Sequence, residues 1–266
     1  MGPIFGLTAA LTAIVMLDVA PVVGDYTATV HASFQSNLYD QNRLPGDAPG
    51  DTTSQQELVD HHVDMGDLRR AEGDPDGALR AYLAGITIAH RVVAADPDNT
   101  AWQRALSVIH NKIGAARVAQ RDLGGALSAY RAGLAIAERL AAIDPHNFER
   151  LRDLAISHER NGDIRAALGD FPTALAAYQA GLVIAERVAA GAPDSVGFQR
   201  DLAVSYYGMA LLADRAGQPD VADTSRRRAL AVLDGMAARN MKLDPQAADV
   251  RAWLRDRLRP RATSQP

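Results

Sequence analysis

The 266-residue chain contains no cysteine, and its 28 basic residues include only two lysines, Lys112 and Lys242. The absence of cysteine excludes disulfides, thiol catalysis, zinc ribbons and cysteine-ligated iron–sulfur clusters. Aromatic residues make up only 5% of the chain, and the net charge is −4. Because the chain has no overall basic field of the kind that nucleic-acid-binding domains carry, we expect no nucleic-acid partner.

The sequence also lacks the short motifs that carry common enzyme chemistry. It has no glycine-rich phosphate loop, no His-Glu-x-x-His pair and no Gly-x-Ser-x-Gly elbow. His62, His110 and His158 recur at a fixed spacing of 48 residues. Equivalent residues of stacked repeats lie about 8–10 Å apart, so these histidines are too distant to share one zinc ion. We therefore expect no metal, no cofactor and no catalytic activity, and we expect this column to fill space between helices.

An internal repeat of 48 residues organises most of the chain. The segment Gly77–Tyr82 recurs as Gly125–Tyr130 and again as Thr173–Tyr178, each time one repeat length later. Repeats of this length are typical of supersecondary units that stack on one another. Four copies are predicted, over about 54–98, 99–146, 147–194 and 195–243.

Each copy has the pattern of two helices. In the second copy Asn99 can cap a helix that runs to about Gln120, and a second helix runs from about Gly125 to Ala142. Pro145 ends it, because proline cannot continue a helix. The second helix of the first three copies carries a glycine at the same position, which indicates close approach of two helices: Gly85, Gly133 and Gly181.

A further helix follows the last copy. Asp244 and Pro245 form an N-cap with proline in the first turn, and Pro260 ends the helix. We interpret residues 244–260 as a capping helix and residues 261–266 as a disordered tail. The predicted fold class is all-α, an α-solenoid of four antiparallel helix pairs with a C-terminal capping helix.

These residues resemble the tetratricopeptide repeat (TPR) family. Ile113-Gly114 match the family's Leu-Gly pair, Gly169-Asp170-Phe171 match its turn, and Tyr130 matches its aromatic position. The standard repeat has about 34 residues, so the additional residues lengthen both helices by about seven each, or about 10 Å. The chain is therefore similar to the long-helix, alanine- and arginine-rich TPR arrays of bacteria.

The resemblance implies a non-enzymatic scaffold or adaptor that binds a protein or peptide on the concave surface lined by the first helix of each pair. An alternative is a sensing or regulatory module that controls an effector or signalling domain encoded elsewhere. Carried over by the motif, the binding positions are Val63, Asp67, Arg70, Asn111, Ala115, Val118, Glu159, Asp163, Tyr207 and Leu211. This face is mixed and mildly acidic, so a partner that carries arginine or lysine fits it best.

Charge is uneven along the chain. Residues 1–73 hold 10 acidic and 3 basic side chains, whereas residues 226–261 hold 10 basic and 4 acidic ones. The basic end is either a solvated capping surface or a docking site for an acidic partner, anionic lipid or nucleic acid. Head-to-tail association of the acidic and basic ends is a further alternative. Its candidate docking residues are Arg226, Arg227, Arg228, Arg251 and Arg255.

The first 39 residues contain an apolar segment, residues 4–23, interrupted by Asp18. Three interpretations stay open: a signal or membrane anchor, a helix that packs on the repeats, and a start inside a longer protein. Residues 40–53 are rich in Asp, Gly and Pro and are predicted to be a flexible linker. The location is accordingly either cytoplasmic or anchored to, or exported across, a membrane, and the oligomeric state is open.

Overall fold

The computed structural model describes residues 52–258, which are α-helical apart from short turns. Within this range the chain forms nine helices: α1 (Thr52–Ala71), α2 (Pro75–Ala95), α3 (Thr100–Ala119), α4 (Leu123–Ile143), α5 (Phe148–Ala167), α6 (Phe171–Gly191), α7 (Val196–Arg215), α8 (Pro219–Ala238) and α9 (Pro245–Arg257). None of these helices is both long enough and apolar enough to span a membrane. The predictions for residues 1–39, for the linker as far as residue 51 and for residues 261–266 lie outside the described residues.

The helices pack in antiparallel pairs, each helix against the next one in the chain. We call the first helix of each pair helix A (α1, α3, α5 and α7) and the second helix B (α2, α4, α6 and α8). Helices A of neighbouring repeats also touch, α3 with α5 and α5 with α7, and α9 packs on α8. The predicted all-α architecture of four helix pairs plus a capping helix is confirmed.

Helices A and B are 20 or 21 residues long, as the 48-residue repeat predicts. Most of the described helices begin after a residue whose side chain accepts a hydrogen bond from a backbone N–H of the first turn. These N-cap residues are Asp74, Asn99, Asp122, Asn147, Asp170, Ser195 and, for α9, Asp244. Helix α4 begins at Leu123, two residues earlier than the sequence predicts, because Asp122 is its N-cap. Gln218, before α8, makes no such bond.

The turn between helices A and B uses one left-handed residue in every repeat. Gly73, Gly169 and Gly217 have φ angles of 78°, 83° and 70°. The equivalent residue of the second repeat is Arg121, with φ of 63°. Glycine adopts this conformation without the steric cost that a Cβ atom brings, so Arg121 is a strained position.

Tyrosine rings lie against glycines of helix A in the first three repeats. A Cβ atom added to Gly66 would lie 2.2 Å from a ring carbon of Tyr82. A Cβ atom added to Gly114 would lie 2.5 Å from a ring carbon of Tyr130, and one added to Gly162 would lie 2.5 Å from a ring carbon of Tyr178. No larger residue fits at these glycines while the rings stay in place, so the glycine and tyrosine columns depend on each other.

The glycines of helix B make the second close approach, as predicted. A Cβ atom on Gly181 would lie 2.9 Å from the backbone oxygen of Ala155 and 3.3 Å from the Cβ of His158. On Gly85 it would lie 3.3 Å from the Cβ of His62. The histidine column therefore packs between helices A and B, which is the structural role that the sequence predicts for it.

Ion pairs between neighbouring helices A link successive repeats. The guanidinium of Arg104 donates to Asp153, with Nη2 to Oδ1 at 3.2 Å, and Arg152 pairs in the same way with Asp201. Both arginines lie one repeat apart, and so do both aspartates. Because the side chains are partly exposed, each pair contributes at most about 1 kcal/mol to stability.

We expect Gly181→Ala to destabilise the protein and Gly235→Ala to stabilise it. The added methyl group at Gly181 meets a backbone oxygen of α5, whereas nothing lies within 4 Å of the corresponding point at Gly235, also inside a helix B. The first change costs about 1–3 kcal/mol through overpacking, and the second gains up to about 1 kcal/mol of helix propensity. Thermal unfolding followed by circular dichroism measures both, and equal shifts of Tm would contradict the close approach at Gly181.

Arg121→Gly is expected to raise Tm by about 1–2 °C. Glycine adopts the same left-handed φ angle without the steric cost of roughly 1 kcal/mol that a Cβ atom brings, and the freer unfolded chain returns a part of this gain. The matched control is Gly169→Ala, because no atom lies within 4 Å of its Cβ position and only the backbone conformation is at issue. A lower Tm for Arg121→Gly, or no loss for Gly169→Ala, would contradict this account of the turn.

Candidate partner-binding face

The ten predicted binding residues lie on the four helices A, and all ten are half-buried. Hydrogen bonds between neighbouring helices A run through or beside several of them. We call the half-buried side chains that the helices A present at these positions the helix A face.

At its N-terminal end the face is built around Asp67 of α1. Its carboxylate accepts a hydrogen bond from the hydroxyl of Tyr82 at 2.6 Å and one from the ammonium of Lys112 in the next repeat, also at 2.6 Å. The guanidinium of Arg70 lies close enough to Tyr82 to lower the pKa of its hydroxyl, although burial and Asp67 raise that pKa more strongly. The charge of Asp67 is thus paired within the chain.

In the second repeat the face is nearly uncharged at the predicted positions. Asn111 donates from Nδ2 to the Oγ of Ser157 at 3.2 Å, while its Oδ1 lies over Gly133, 2.9 Å from where a Cβ atom would be. Ala115 occupies the position that Asp67 and Asp163 hold in the neighbouring repeats. Val118 packs beside Tyr130 in the core.

The third repeat carries the acidic centre of the face, Glu159 and Asp163. Burial raises the pKa of Glu159 to about 7, and the charges of Asp163 and Asp201 add to this, whereas the Ser205 hydroxyl and Arg160 act in the opposite direction. Burial also raises the pKa of Asp163, against the effects of Arg160, of the Tyr178 hydroxyl that donates to it, and of Arg215. Arg160 pairs with Asp163 at 3.8 Å, but burial outweighs the nearby positive charge at both carboxyl groups.

In the fourth repeat Tyr207 and Leu211 make the face apolar. The ring of Tyr207 meets the ring of Trp253 on α9 edge to face, with centroids 5.8 Å apart. Trp253 is 44% exposed, and it was not among the predicted site residues. No spacing in the sequence indicates this contact, because α9 is shorter than a helix A and its placement depends on tertiary packing.

The sequence-based prediction also missed an apolar row that lies beside the acidic centre. Val108, Ile156 and Val204 are half-buried and follow one another at the repeat spacing. The same spacing places Arg104, Arg152 and Arg200 four residues before them, one helical turn away. The 48-residue register identifies the arginine row directly, and it could have identified the apolar row in the same way, since each is a column of the repeat.

At the basic end, Arg226 is only 4% exposed, so the structure does not place it on a surface. Its guanidinium pairs with Asp214 and, at 2.7 Å, with Asp223. Arg226 occupies the tyrosine column of the fourth repeat, and Ala210 replaces the matching glycine. A deeply buried arginine requires carboxylate partners, which explains why the two aspartates surround it.

The other four arginines of the basic end lie nearer to solvent. Arg227 is exposed, and Arg228 pairs with Glu186 at 3.3 Å and lies over the ring of Tyr206. Arg251 and Arg255 both donate to Asp234, at 2.6 and 2.8 Å. Much of the positive charge at this end is thus balanced by carboxylates of the same chain.

Within residues 52–258, no three His, Asp or Glu side chains come close enough to hold a metal ion. The His110 and His90 rings meet edge to face at 6.0 Å, and burial followed by the charge of His90 lowers the pKa of His110. This pair is a contact of helix packing.

No family model matches the sequence, and no curated protein matches it significantly. Among solved structures, the crystal structure of BtubC (BKLC) from P. vanneervenii matches at a TM-score of 0.58 and 16% identity, covering 82% of this chain and 76% of that one. MamA protein matches at a TM-score of 0.35 and 21% identity, over 71% of this chain and 100% of that one. Yeast Tom70 matches at a TM-score of 0.30 and 11% identity, over 95% of this chain and 60% of that one.

The match to BtubC concerns the fold, since identity at this level carries no information about function. The two lower TM-scores add nothing to the argument. The chain is structurally similar to TPR-like helical repeat proteins.

Proposed function

We propose that this protein is a non-enzymatic scaffold whose helix A face binds a protein or peptide partner. The partner contributes arginine or lysine side chains to the contact. The observation that carries the proposal is the acidic centre of the third repeat. Glu159 and Asp163 lie one helical turn apart on α5, both half-buried and both with a raised pKa. A cation supplied by a partner would favour their ionised forms and so gain a charge-assisted contact.

The neighbouring side chains support a partner of this kind. The row of Val108, Ile156 and Val204 offers apolar contact beside the acidic centre. A guanidinium of the partner could pair with Glu159, which accepts a hydrogen bond from the neutral hydroxyl of Ser205. Asp67 pairs with Lys112 at 2.6 Å, a closer contact than the 3.8 Å between Arg160 and Asp163, so we place the partner's cation in the third repeat and not in the first.

Binding on this face needs no chemical step. Repeat proteins of this architecture offer extended surfaces on which complementarity of shape and charge decides the partner. Stacked helix pairs hold such a surface in place before the partner arrives, which lowers the entropy cost of association.

The double substitution Glu159→Gln/Asp163→Asn is expected to weaken binding of a basic partner at least tenfold. Each lost charge-assisted contact is worth about 1.5–3 kcal/mol, while the new amides keep an oxygen that accepts from Ser205 and Tyr178. A random peptide library selected on the full chain should be enriched in arginine and lysine, and affinities of the selected peptides for both proteins give the ratio.

The matched control is Asp98→Asn/Asp194→Asn, which removes the same charge from exposed positions in the turns after α2 and α6. This control should bind the selected peptides like the wild type. Selection of acidic or uncharged peptides, or equal affinities for all three proteins, would overturn the proposal.

Binding of a basic peptide is also expected to strengthen as pH rises. Because the pKa of Glu159 is about 7, most of this side chain is protonated at lower pH in the free protein and must lose its proton to bind a cation. The affinity should rise about five- to tenfold between about pH 6 and pH 8. Arg160, Asp163 and Asp201 surround this carboxyl group, so the measurement is the difference in pH dependence between the wild type and Glu159→Gln. An equal pH dependence in both proteins would contradict the role of Glu159.

A further inference from the structure

The pair of Tyr207 and Trp253 lies at the C-terminal end of the helix A face. Its rings meet at an interplanar angle of 84°, and Trp253 is 44% exposed. An edge-to-face pair leaves part of the π surface of at least one ring uncovered. Exposed tryptophan beside tyrosine is the composition that interface hot spots favour.

Helix α9 holds Trp253 in a fixed position. Leu254, its neighbour in sequence, is fully buried among Leu233 and Met236 of α8. Asp244 caps the start of the helix, and Arg251 and Arg255 tie it to Asp234. A ring held in this way loses little conformational freedom when a partner docks on it.

The residues around the aromatic pair favour binding of a positively charged side chain. Tyr207 lies one repeat length after Glu159, on the helix A that packs against α5, so the aromatic pair adjoins the acidic centre. Burial raises the pKa of the Tyr207 hydroxyl and the charge of Arg226 lowers it, while Asp214 and Asp223 balance that charge. These contacts place a π surface and an acidic centre on neighbouring helices of one face.

The chain already uses guanidinium groups over aromatic rings at two nearby points. Arg215 lies 5.5 Å from the ring centroid of Phe171, and Arg228 lies 5.7 Å from that of Tyr206. Both distances are within the range of a cation–π contact, and tryptophan is the ring that makes the strongest one.

We propose that Tyr207 and Trp253 form an aromatic subsite for an arginine or lysine side chain of the partner. The subsite rests on the proposed function, since the same basic partner would reach Glu159 and Asp163 with another cation. Two cation subsites of different chemistry on one rigid face would select a partner by the spacing of its basic residues.

Fluorescence tests the subsite on the full chain. Of the two tryptophans, Trp102 is 4% exposed and Trp253 is 44% exposed, so Trp102→Phe leaves Trp253 as the reporter. If Trp102→Phe does not fold, quenching of the wild type by iodide reports on the exposed Trp253 instead. The probes are a short acetylated arginine–alanine peptide amide and the same peptide with neutral citrulline in place of arginine.

The arginine peptide is expected to change the emission of Trp253 or to protect it from iodide, and the citrulline peptide is not. Trp253→Leu should weaken binding of the arginine peptide about three- to tenfold, and Trp253→Phe should weaken it less. Val183→Ala, which changes an exposed apolar residue on helix α6, should leave the affinity unchanged.

The outcomes separate this subsite from the proposed function. If Trp253→Leu binds the arginine peptide like the wild type while Glu159→Gln/Asp163→Asn does not, the subsite is wrong and the acidic centre stands. If the citrulline peptide binds as tightly as the arginine peptide, the contact does not depend on a cation and the subsite is wrong. If the wild type binds neither peptide, both proposals fail.

Two further results would overturn the proposal, because each would show that the subsite is occupied by something other than the partner. Emission of Trp253 that depends on protein concentration without peptide would identify a second copy of the chain. A change of that emission on deletion of residues 259–266 would identify the chain's own C-terminal residues.

Discussion

The contact between a tyrosine ring and a glycine is the constraint on which the rest of the described structure depends. Tyr82, Tyr130 and Tyr178 enter the core only because the facing residues of helix A have no Cβ atom. A buried tyrosine hydroxyl needs a polar partner. Asp67 supplies it in the first repeat and Asp163 in the third, so both carboxylates are fixed on the helix A face by the packing of the core. The charge pattern of this face thus follows from the way the helices pack.

The fourth pair departs from this pattern in a coordinated way. Arg226 replaces the tyrosine and Ala210 the glycine, and Asp214 and Asp223 supply the charge that a buried guanidinium requires. Leu211 stands where the first and third repeats have an aspartate, because the acceptors for the buried guanidinium come from Asp214 and Asp223 instead. The end of the array is therefore more apolar on the helix A face, and α9 adds Trp253 to it. These coordinated replacements accompany the change along the face from an acidic region to an aromatic one.

Most polar groups of the helix A face have two roles, and this limits what the face can bind. Lys112 and Asn111 hold neighbouring repeats together through Asp67 and Ser157, so a partner that competes for them would weaken the array itself. Glu159 contributes less to this framework, since its acceptor bond comes from a neutral hydroxyl and its burial is unfavourable for the charged form. A partner cation at Glu159 adds a favourable contact without removing an existing ion pair. The raised pKa and the proposed binding role therefore have one cause, a half-buried carboxylate with too little positive charge around it.

The sequence by itself determined the repeat, the number and length of the helix pairs, the caps at Asn99 and Asp244, and the glycines at close approach, because these are local or periodic properties of the chain. It also placed the ten candidate residues on the helices A through the repeat register. Only the tertiary structure decided which of their charges are already paired, since the partners of Asp67 and Glu159 lie 45 and 46 residues away on other helices. It also decided that Arg226 is buried while its neighbour Arg227 is exposed, although both belong to one run of three arginines. The fold follows from patterns along the chain, whereas the availability of a charged side chain depends on what packs beside it.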